Sequence, residues 1–185
     1  DSDMEFTKAN GKRRVVVTGG GMLSGLGRDW NSAYENLKAC KNKIRYMPEW
    51  ERFTKMNTRM ACPYDGELPS FPRKKIRGMG RVALLSLVTT EEALKMAGFL
   101  KEDGDVIDEL KNGRTGIAYG TCMGSMDAIG DLAKMVETGD SSHLNSQTYI
   151  KAMPQTNACN LSVYYQIRGR VIVTDTACTS GSQSI

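Results

Sequence analysis

The chain has 185 residues, with 25 Lys or Arg against 21 Asp or Glu, and a formal net charge of +4. Apolar residues make up 40% of it, and no apolar run approaches the ~20 residues that a membrane-spanning helix needs. A membrane or disordered protein is therefore disfavoured, and one domain with a sizeable core is predicted. The isoelectric point of about 8.8 lies below the range of about 9 and above that is typical of nucleic-acid-binding domains.

Five cysteines stand at positions 40, 62, 122, 159 and 178, and no two of them form a CxxC pair. This dispersed, odd set predicts neither a metal site nor a disulfide framework, and most of these cysteines are expected to be buried small side chains. The polar N-terminus shows no secretory segment, so we expect the cytoplasm. Residues 1–11 are predicted to be an N-terminal extension or sequence left by cloning or processing.

Hydrophobic patterns predict alternating strands and helices in chain order. The first predicted elements are a strand at Arg14–Thr18 that enters a glycine turn, a helix after Asp29, a long surface excursion over 45–73, and a buried helix over 81–97. They are followed by a strand over 115–119, helices over 125–137 and 154–167, and a strand over 171–174. This order is typical of a layered α/β domain with a mostly parallel sheet.

The glycine-rich segments do not match nucleotide-binding motifs. GGGMLSGLG fits neither GxGxxG nor GxxxxGK, and GMGRVA at 78–83 follows a basic loop instead of a strand. We therefore expect no nucleotide and no other cofactor.

Cys178 lies between the last predicted strand and a run of small residues that begins a helix. A strand-to-helix corner exposes a side chain, and the N–H groups of a new helix favour a thiolate, so this position is typical of a nucleophile. The alternative is a cysteine that packs as a small hydrophobe.

Three segments, VTGGGMLSGLG, RKKIRGMGRVALLS and DTACTSGSQSI, together resemble the N-terminal half of a β-ketoacyl-acyl carrier protein synthase. The resemblance runs over residues 12–185, which would form an N-terminal ketoacyl-synthase domain that is incomplete at its C-terminal end. It implies a thiolase-like α-β-α-β-α architecture in a homodimer. It also implies that Cys178 takes an acyl group as a thioester, which then condenses with malonyl-acyl carrier protein through a decarboxylating Claisen reaction.

The family places two histidines and a lysine in its second half. His143 lies in a polar stretch and matches neither histidine, so we expect it to be a solvated or capping residue. The final segment ends soon after a helix start, which leads us to expect a longer polypeptide and no activity from residues 1–185 alone.

Five basic residues lie within positions 73–81 with no acidic residue among them. The resemblance implies that Arg73, Lys74 and Arg77 dock an acidic acyl carrier protein, whereas the alternative is a solvated helix start. A nucleic-acid partner is disfavoured, since no aromatic residue is interleaved for base stacking. Met123, in the turn between Gly120 and Gly124, resembles a gate of the acyl pocket, with core packing as its alternative.

Two other functions compete with the condensing enzyme. A non-catalytic partner subunit, such as a chain-length factor, would lack the cysteine that stands at position 178. A basic nucleic-acid-binding domain would show salt-dependent binding of oligonucleotides.

Overall fold

The computed structural model describes residues 11–185, and it alternates helices with short strands. The helices are α1 (Trp30–Lys38), α2 (Arg73–Ile76), α3 (Arg81–Met96), α4 (Met126–Thr138), α5 (Ser146–Ala152), α6 (Thr156–Tyr165) and α7 (Ser180–Gln183). The strands are β1 (Arg45–Tyr46), β2 (Met60–Ala61), β3 (Ile117–Gly120) and β4 (Val171–Thr174). Short 3₁₀ helices occur at Pro48–Trp50, Asp108–Lys111 and Ala177–Thr179.

Most of the predicted elements are confirmed. The α1 helix begins after Asp29, whose carboxylate accepts from the Ser32 backbone N–H at 2.7 Å, while the Ser32 side chain completes a capping box. The helix predicted over 154–167 is shorter, because Gln166 turns into the left-handed region with φ of 56°. The α5 helix was not predicted, although Asn145 forms a capping box at its start.

The main core lies between α3 and α6. Its buried side chains are Met79, Ala83, Leu87, Val106, Leu161, Tyr165 and Ile167. Ala83 and Leu87 lie one helical turn apart on α3 and are fully buried, because this face of the helix packs on α6. Gly80, which precedes α3, has no room for a side chain, since a Cβ there would lie 2.0 Å from the Ser125 hydroxyl oxygen.

The two central strands pair in parallel, as predicted. Ile117 lies opposite Val171, and Gly120 lies opposite Thr174. In a parallel pair both carboxyl ends reach the same edge of the sheet, so the segments that follow Gly120 and Thr174 come together there. Helix α6 packs against both strands.

The prediction of a strand at Arg14–Thr18 is wrong. These residues join no ladder within residues 11–185, and Val15 and Val17 are 92% and 94% exposed. The β-branched run favours an extended strand, but a strand also needs a neighbour to complete its hydrogen bonds, and none of residues 11–185 pairs with this segment. The glycine turn that follows packs tightly on α3, because a Cβ at Gly21 would lie 1.9 Å from the Thr89 carbonyl oxygen.

The predicted surface excursion is confirmed, and most of its residues are exposed. It contains a short antiparallel ribbon in which Arg45 of β1 lies opposite Ala61 of β2. Arg45 also forms an ion pair with Asp65 at 2.9 Å. Over residues 11–185, no helix combines the length and apolar character needed to cross a bilayer.

Candidate functional site

The carboxyl ends of β3 and β4 carry the two turns that form the candidate site. The turns are joined directly, because the Thr121 backbone N–H donates to the Thr174 carbonyl oxygen at 3.2 Å. Gly120 makes this close approach feasible, since a Cβ on it would lie 2.2 Å from the Ser180 carbonyl oxygen. The Cys178 turn therefore lies against the end of β3.

The segment from Thr176 to Ser180 forms a sharp strand-to-helix turn. Ala177 lies in the left-handed region with φ of 49°, and this conformation costs a non-glycine residue on the order of 1–3 kcal/mol. The turn is closed where the Thr179 backbone N–H and side-chain hydroxyl both donate to the Thr176 carbonyl oxygen, at 3.1 and 3.0 Å. Cys178 lies in the middle of the Ala177–Thr179 3₁₀ helix, at the predicted corner.

The Cys178 side chain is exposed, and so are the other four cysteines. The expectation that Cys40, Cys62, Cys122 and Cys159 are buried small side chains is therefore wrong. Cys40, Cys62 and Cys122 lie in exposed turns or loops, and Cys159 lies on an exposed part of α6. The sequence predicted the helix around Cys159, but not which of its faces is exposed.

One residue of this turn was not singled out from the sequence. Ser180 is 3% exposed and lies beneath the turn, where its hydroxyl contacts the backbone on the N-terminal side of Cys178. On the outer side, the Thr176 hydroxyl donates to the Gln183 side-chain oxygen at 2.8 Å. The small polar residues after Cys178 signalled a helix start, but not which of them was buried.

Met123 lies on the neighbouring turn and is 43% exposed, so it does not pack in the core of the described residues. Its carbonyl oxygen accepts from the Thr121 hydroxyl at 2.9 Å, which shapes the turn. Gly124 closes the turn against α5, since a Cβ there would lie 2.2 Å from the Ala152 carbonyl oxygen. The backbone around Met123 is therefore held on both sides, by the Thr121 hydrogen bond and by the close packing of Gly124.

The basic residues lie away from this turn, on α2 and the segment that leads into α3. Arg73, Lys74 and Arg77 are exposed, and none of them forms an ion pair with an acidic residue among positions 11–185. Lys75 differs, because its ammonium lies 5.0 Å from the centre of the Tyr164 ring. Arg81 also has a partner, since its guanidinium donates to the Tyr64 carbonyl oxygen at 3.3 Å.

His143 has a local structural partner. Its Nε2 atom lies 3.0 Å from the carbonyl oxygen of Asp131, to which it donates a hydrogen bond. This contact ties the segment after α4 back to that helix. Within the part of the chain that the structure describes, no cluster of three or more His, Cys, Asp or Glu side chains could hold a metal ion.

These features define a class of protein: an α/β domain with a cysteine on the strained turn that follows a parallel strand. The family model "Beta-ketoacyl synthase, N-terminal domain" matches residues 12–185. The chain therefore belongs to the β-ketoacyl synthase family, and the predicted resemblance is confirmed.

Relatives and solved structures agree with this assignment. The chain is 28% identical over 181 residues to nodulation protein E of Rhizobium meliloti strain 1021, covering 94% of this chain and 42% of that protein. It is 29% identical over 183 residues to 3-oxoacyl-[acyl-carrier-protein] synthase 1 of Haemophilus influenzae, covering 94% of this chain and 41% of that protein.

The crystal structure of a β-ketoacyl synthase from Burkholderia phymatum STM815 superposes with a TM-score of 0.83 and 39% sequence identity. The match covers 91% of this chain and 40% of that one, and it confirms the predicted thiolase-like α/β fold. The chain thus spans about two fifths of the length of the relatives that it matches.

Proposed function

We propose that the full-length protein condenses an acyl thioester with malonyl-acyl carrier protein, and that Cys178 carries the acyl group. The observation that carries this proposal is the placement of an exposed cysteine on a strained turn after β4, in a chain of the β-ketoacyl synthase family. The similarity to 3-oxoacyl-[acyl-carrier-protein] synthase 1 of Haemophilus influenzae supports the same class of reaction.

The reaction would begin with the Cys178 thiolate. Its sulfur attacks the carbonyl carbon of an acyl thioester, and the carrier thiol leaves as the new carbon–sulfur bond forms. Malonyl-carrier protein then loses CO₂, and the electron pair of the broken carbon–carbon bond remains on the α-carbon. That carbon attacks the Cys178 thioester, the bond to sulfur breaks, and the thiolate is regenerated with a chain two carbons longer.

Met123 is proposed to line the path of the acyl chain. It is half-exposed on the turn beside the Cys178 segment, and its thioether is apolar and flexible enough to adapt to chains of different length. The backbone of this turn is held by Thr121 and Gly124, so the side chain can move without moving the turn.

The exposed basic residues Arg73, Lys74 and Arg77 are proposed to dock the acyl carrier protein. Acyl carrier proteins are acidic, and these three cations have no acidic partner among residues 11–185 that would compete for them. Unpaired charges of one sign attract an oppositely charged partner and raise the rate of encounter.

We further propose a homodimer that acts in the cytoplasm. On β4, Val171 and Ile172 are 36% and 40% exposed, and one edge of this strand pairs with no strand in the described part of the chain. An open strand edge with apolar side chains favours pairing with another chain. Sedimentation of the full-length protein would give its mass, and a monomer across micromolar concentrations would contradict the dimer.

A condensation assay with the full-length gene product tests the central proposal. Purified protein, an acyl donor and malonyl-carrier protein should yield one CO₂ and one 3-oxoacyl product per turnover. Cys178→Ala should lose condensation by at least about 10³-fold, as expected when a covalent nucleophile is removed. Cys159→Ala, which changes an exposed cysteine on α6, should keep wild-type activity. Condensation that survives in Cys178→Ala would refute the proposal.

A further inference from the structure

The Ser180 side chain holds the backbone on the N-terminal side of Cys178. Its buried hydroxyl donates to the Ala177 carbonyl oxygen at 2.7 Å and accepts from the Thr176 backbone N–H at 2.9 Å. The Ala177 carbonyl oxygen also accepts from the Ser180 backbone N–H, so the hydroxyl is its second donor. A single buried oxygen therefore satisfies a donor and an acceptor of the turn, and fixes their separation.

The backbone held by these bonds is one that alanine rarely adopts. Ala177 has φ of 49°, and Thr176 before it has φ of −134° and ψ of 44°. An alanine in the left-handed region relaxes to negative φ unless its surroundings prevent this. Since Cys178 is the next residue, the conformation of Ala177 sets the direction in which the Cys178 side chain leaves the turn.

Ser180 is itself anchored to the sheet. Its carbonyl oxygen accepts from the Thr174 hydroxyl at 2.7 Å, which connects it to the end of β4. The same oxygen lies close to Gly120, where only a glycine leaves room for it. Ser180 is thus held against the ends of both parallel strands, and its hydroxyl connects the turn to them.

We propose that Ser180 is a positioning residue for Cys178. This inference rests on the proposed role of Cys178 as the acylated nucleophile. The Ser180 hydroxyl keeps Ala177 in the left-handed conformation, and this keeps the Cys178 sulfur aimed at the acyl carbonyl. Ser180 itself touches no reacting atom.

Removal of the hydroxyl should slow acylation more than it weakens donor binding. Ser180→Ala removes the hydroxyl acceptor of the Thr176 N–H and leaves the Ala177 carbonyl oxygen with only the Ser180 backbone N–H as donor, so Ala177 can relax. A displacement of about 1 Å at a reacting group costs roughly 100-fold in rate. We expect the acylation rate at saturating acyl donor to fall by about 10- to 100-fold, while the donor concentration for half-maximal rate stays unchanged.

The experiment is rapid-quench acylation of the full-length protein, with the adduct on Cys178 quantified by mass spectrometry. Ser182→Ala is the matched control, because Ser182 is exposed and its hydroxyl makes no hydrogen bond within residues 11–185. It should acylate at the wild-type rate. The double variant Ala177→Gly with Ser180→Ala should recover part of the lost rate, since glycine adopts positive φ without steric cost.

The possible results separate this inference from the proposed function. Acylation mapped to another residue in the wild-type protein would mean that the proposed function fails. Acylation of Cys178 at the wild-type rate in Ser180→Ala would overturn only the positioning role, even if the melting temperature fell. If Ser180→Ala does not fold, Thr174→Val removes the anchor with little change of shape. A several-fold lower limiting rate would then support the inference, and a wild-type rate would overturn it.

Discussion

The Cys178 turn and the basic segment at positions 73–77 are organised in opposite ways. In and beside the turn, the hydroxyls of Thr174, Thr176, Thr179 and Ser180 all donate to acceptors within residues 174–183. In the basic segment, Arg73, Lys74 and Arg77 extend into solvent and make no ion pair in the described chain.

The difference fits the two roles proposed for these segments. A nucleophile must be held within a fraction of an ångström of its working position, so its turn is fixed by several short bonds. A docking surface for a mobile partner needs unpaired charge more than fixed geometry. Changes in the turn should therefore alter rate constants, whereas changes in the basic segment should alter binding and its dependence on salt.

Gly120→Ala should show the largest effect on the turn. The added Cβ would lie 2.2 Å from the Ser180 carbonyl oxygen, and this oxygen belongs to backbone that cannot move alone. We expect about 1–3 kcal/mol of destabilisation, measured by denaturant unfolding, together with slower acylation.

Gly130→Ala is the matched control for this change. Gly130 lies within α4, and a Cβ there meets nothing within 4 Å in the described structure. It should raise stability by up to about 1 kcal/mol, because alanine favours the helix. Equal effects of the two substitutions would contradict the tight contact between β3 and the turn.

Reversal of charge at Lys74 and Arg77 should affect docking and leave the chemistry intact. The double Glu variant should raise the KM for malonyl-carrier protein by about tenfold at low salt, with kcat nearly unchanged. The difference from wild type should shrink as salt screens the charges. The control is the double variant Lys41→Glu with Lys134→Glu, which changes the net charge by the same amount at other positions. It should raise the KM for malonyl-carrier protein much less. A KM ratio that does not vary with salt would argue against docking at this segment.

Lys75 should behave differently from its neighbour Lys74. Its ammonium lies over the Tyr164 ring, and an exposed contact of this kind is worth about 0.5–1 kcal/mol. Lys75→Ala should therefore lower stability slightly in thermal unfolding, whereas Lys74→Ala should raise KM without a change in stability. The reverse pattern would mean that the structural and docking roles have been assigned to the wrong residues.

The smallest predicted effect concerns Asp29 at the start of α1, remote from both regions in the chain. The hydrogen bond from the Ser32 backbone N–H to its carboxylate lowers the pKa of Asp29 below its usual value. The cap is therefore complete above the unfolded pKa of about 3.9, and it is lost as the pH falls through the lower folded value. Asp29→Asn keeps an acceptor without titrating, so its melting temperature should fall less than that of wild type in acid. If the melting temperatures of wild type and Asp29→Asn fall equally as the pH is lowered, the capping role of the Asp29 carboxylate is contradicted.

Sequence patterns correctly predicted a strand where a second predicted strand of this chain pairs with it. The β-branched run Val171–Thr174 forms the strand expected of it, because β3 lies beside it. The similar run at Arg14–Thr18 forms no strand in the described residues, since a residue pattern does not specify a neighbour. Helix α3 forms over nearly the predicted range, but the deep burial expected of it is not seen in the described residues, where only Ala83 and Leu87 of the helix are buried.

The candidate site was predicted only in part. The position of Cys178 at a strand-to-helix corner followed from the residues around it. The left-handed conformation of Ala177 did not, because alanine carries no signal for positive φ. The burial of Ser180 and the contact of Lys75 with Tyr164 depend on tertiary packing, which no local pattern contains.

The most direct test of the proposed chemistry is the site of acylation in the full-length protein. After incubation with an acyl thioester donor, proteolysis and mass spectrometry should place one acyl adduct on the peptide that contains Cys178. The adduct should be absent from Cys178→Ala and present in Cys159→Ala. An adduct on Cys122 or Cys159 that persists in Cys178→Ala would contradict the central claim.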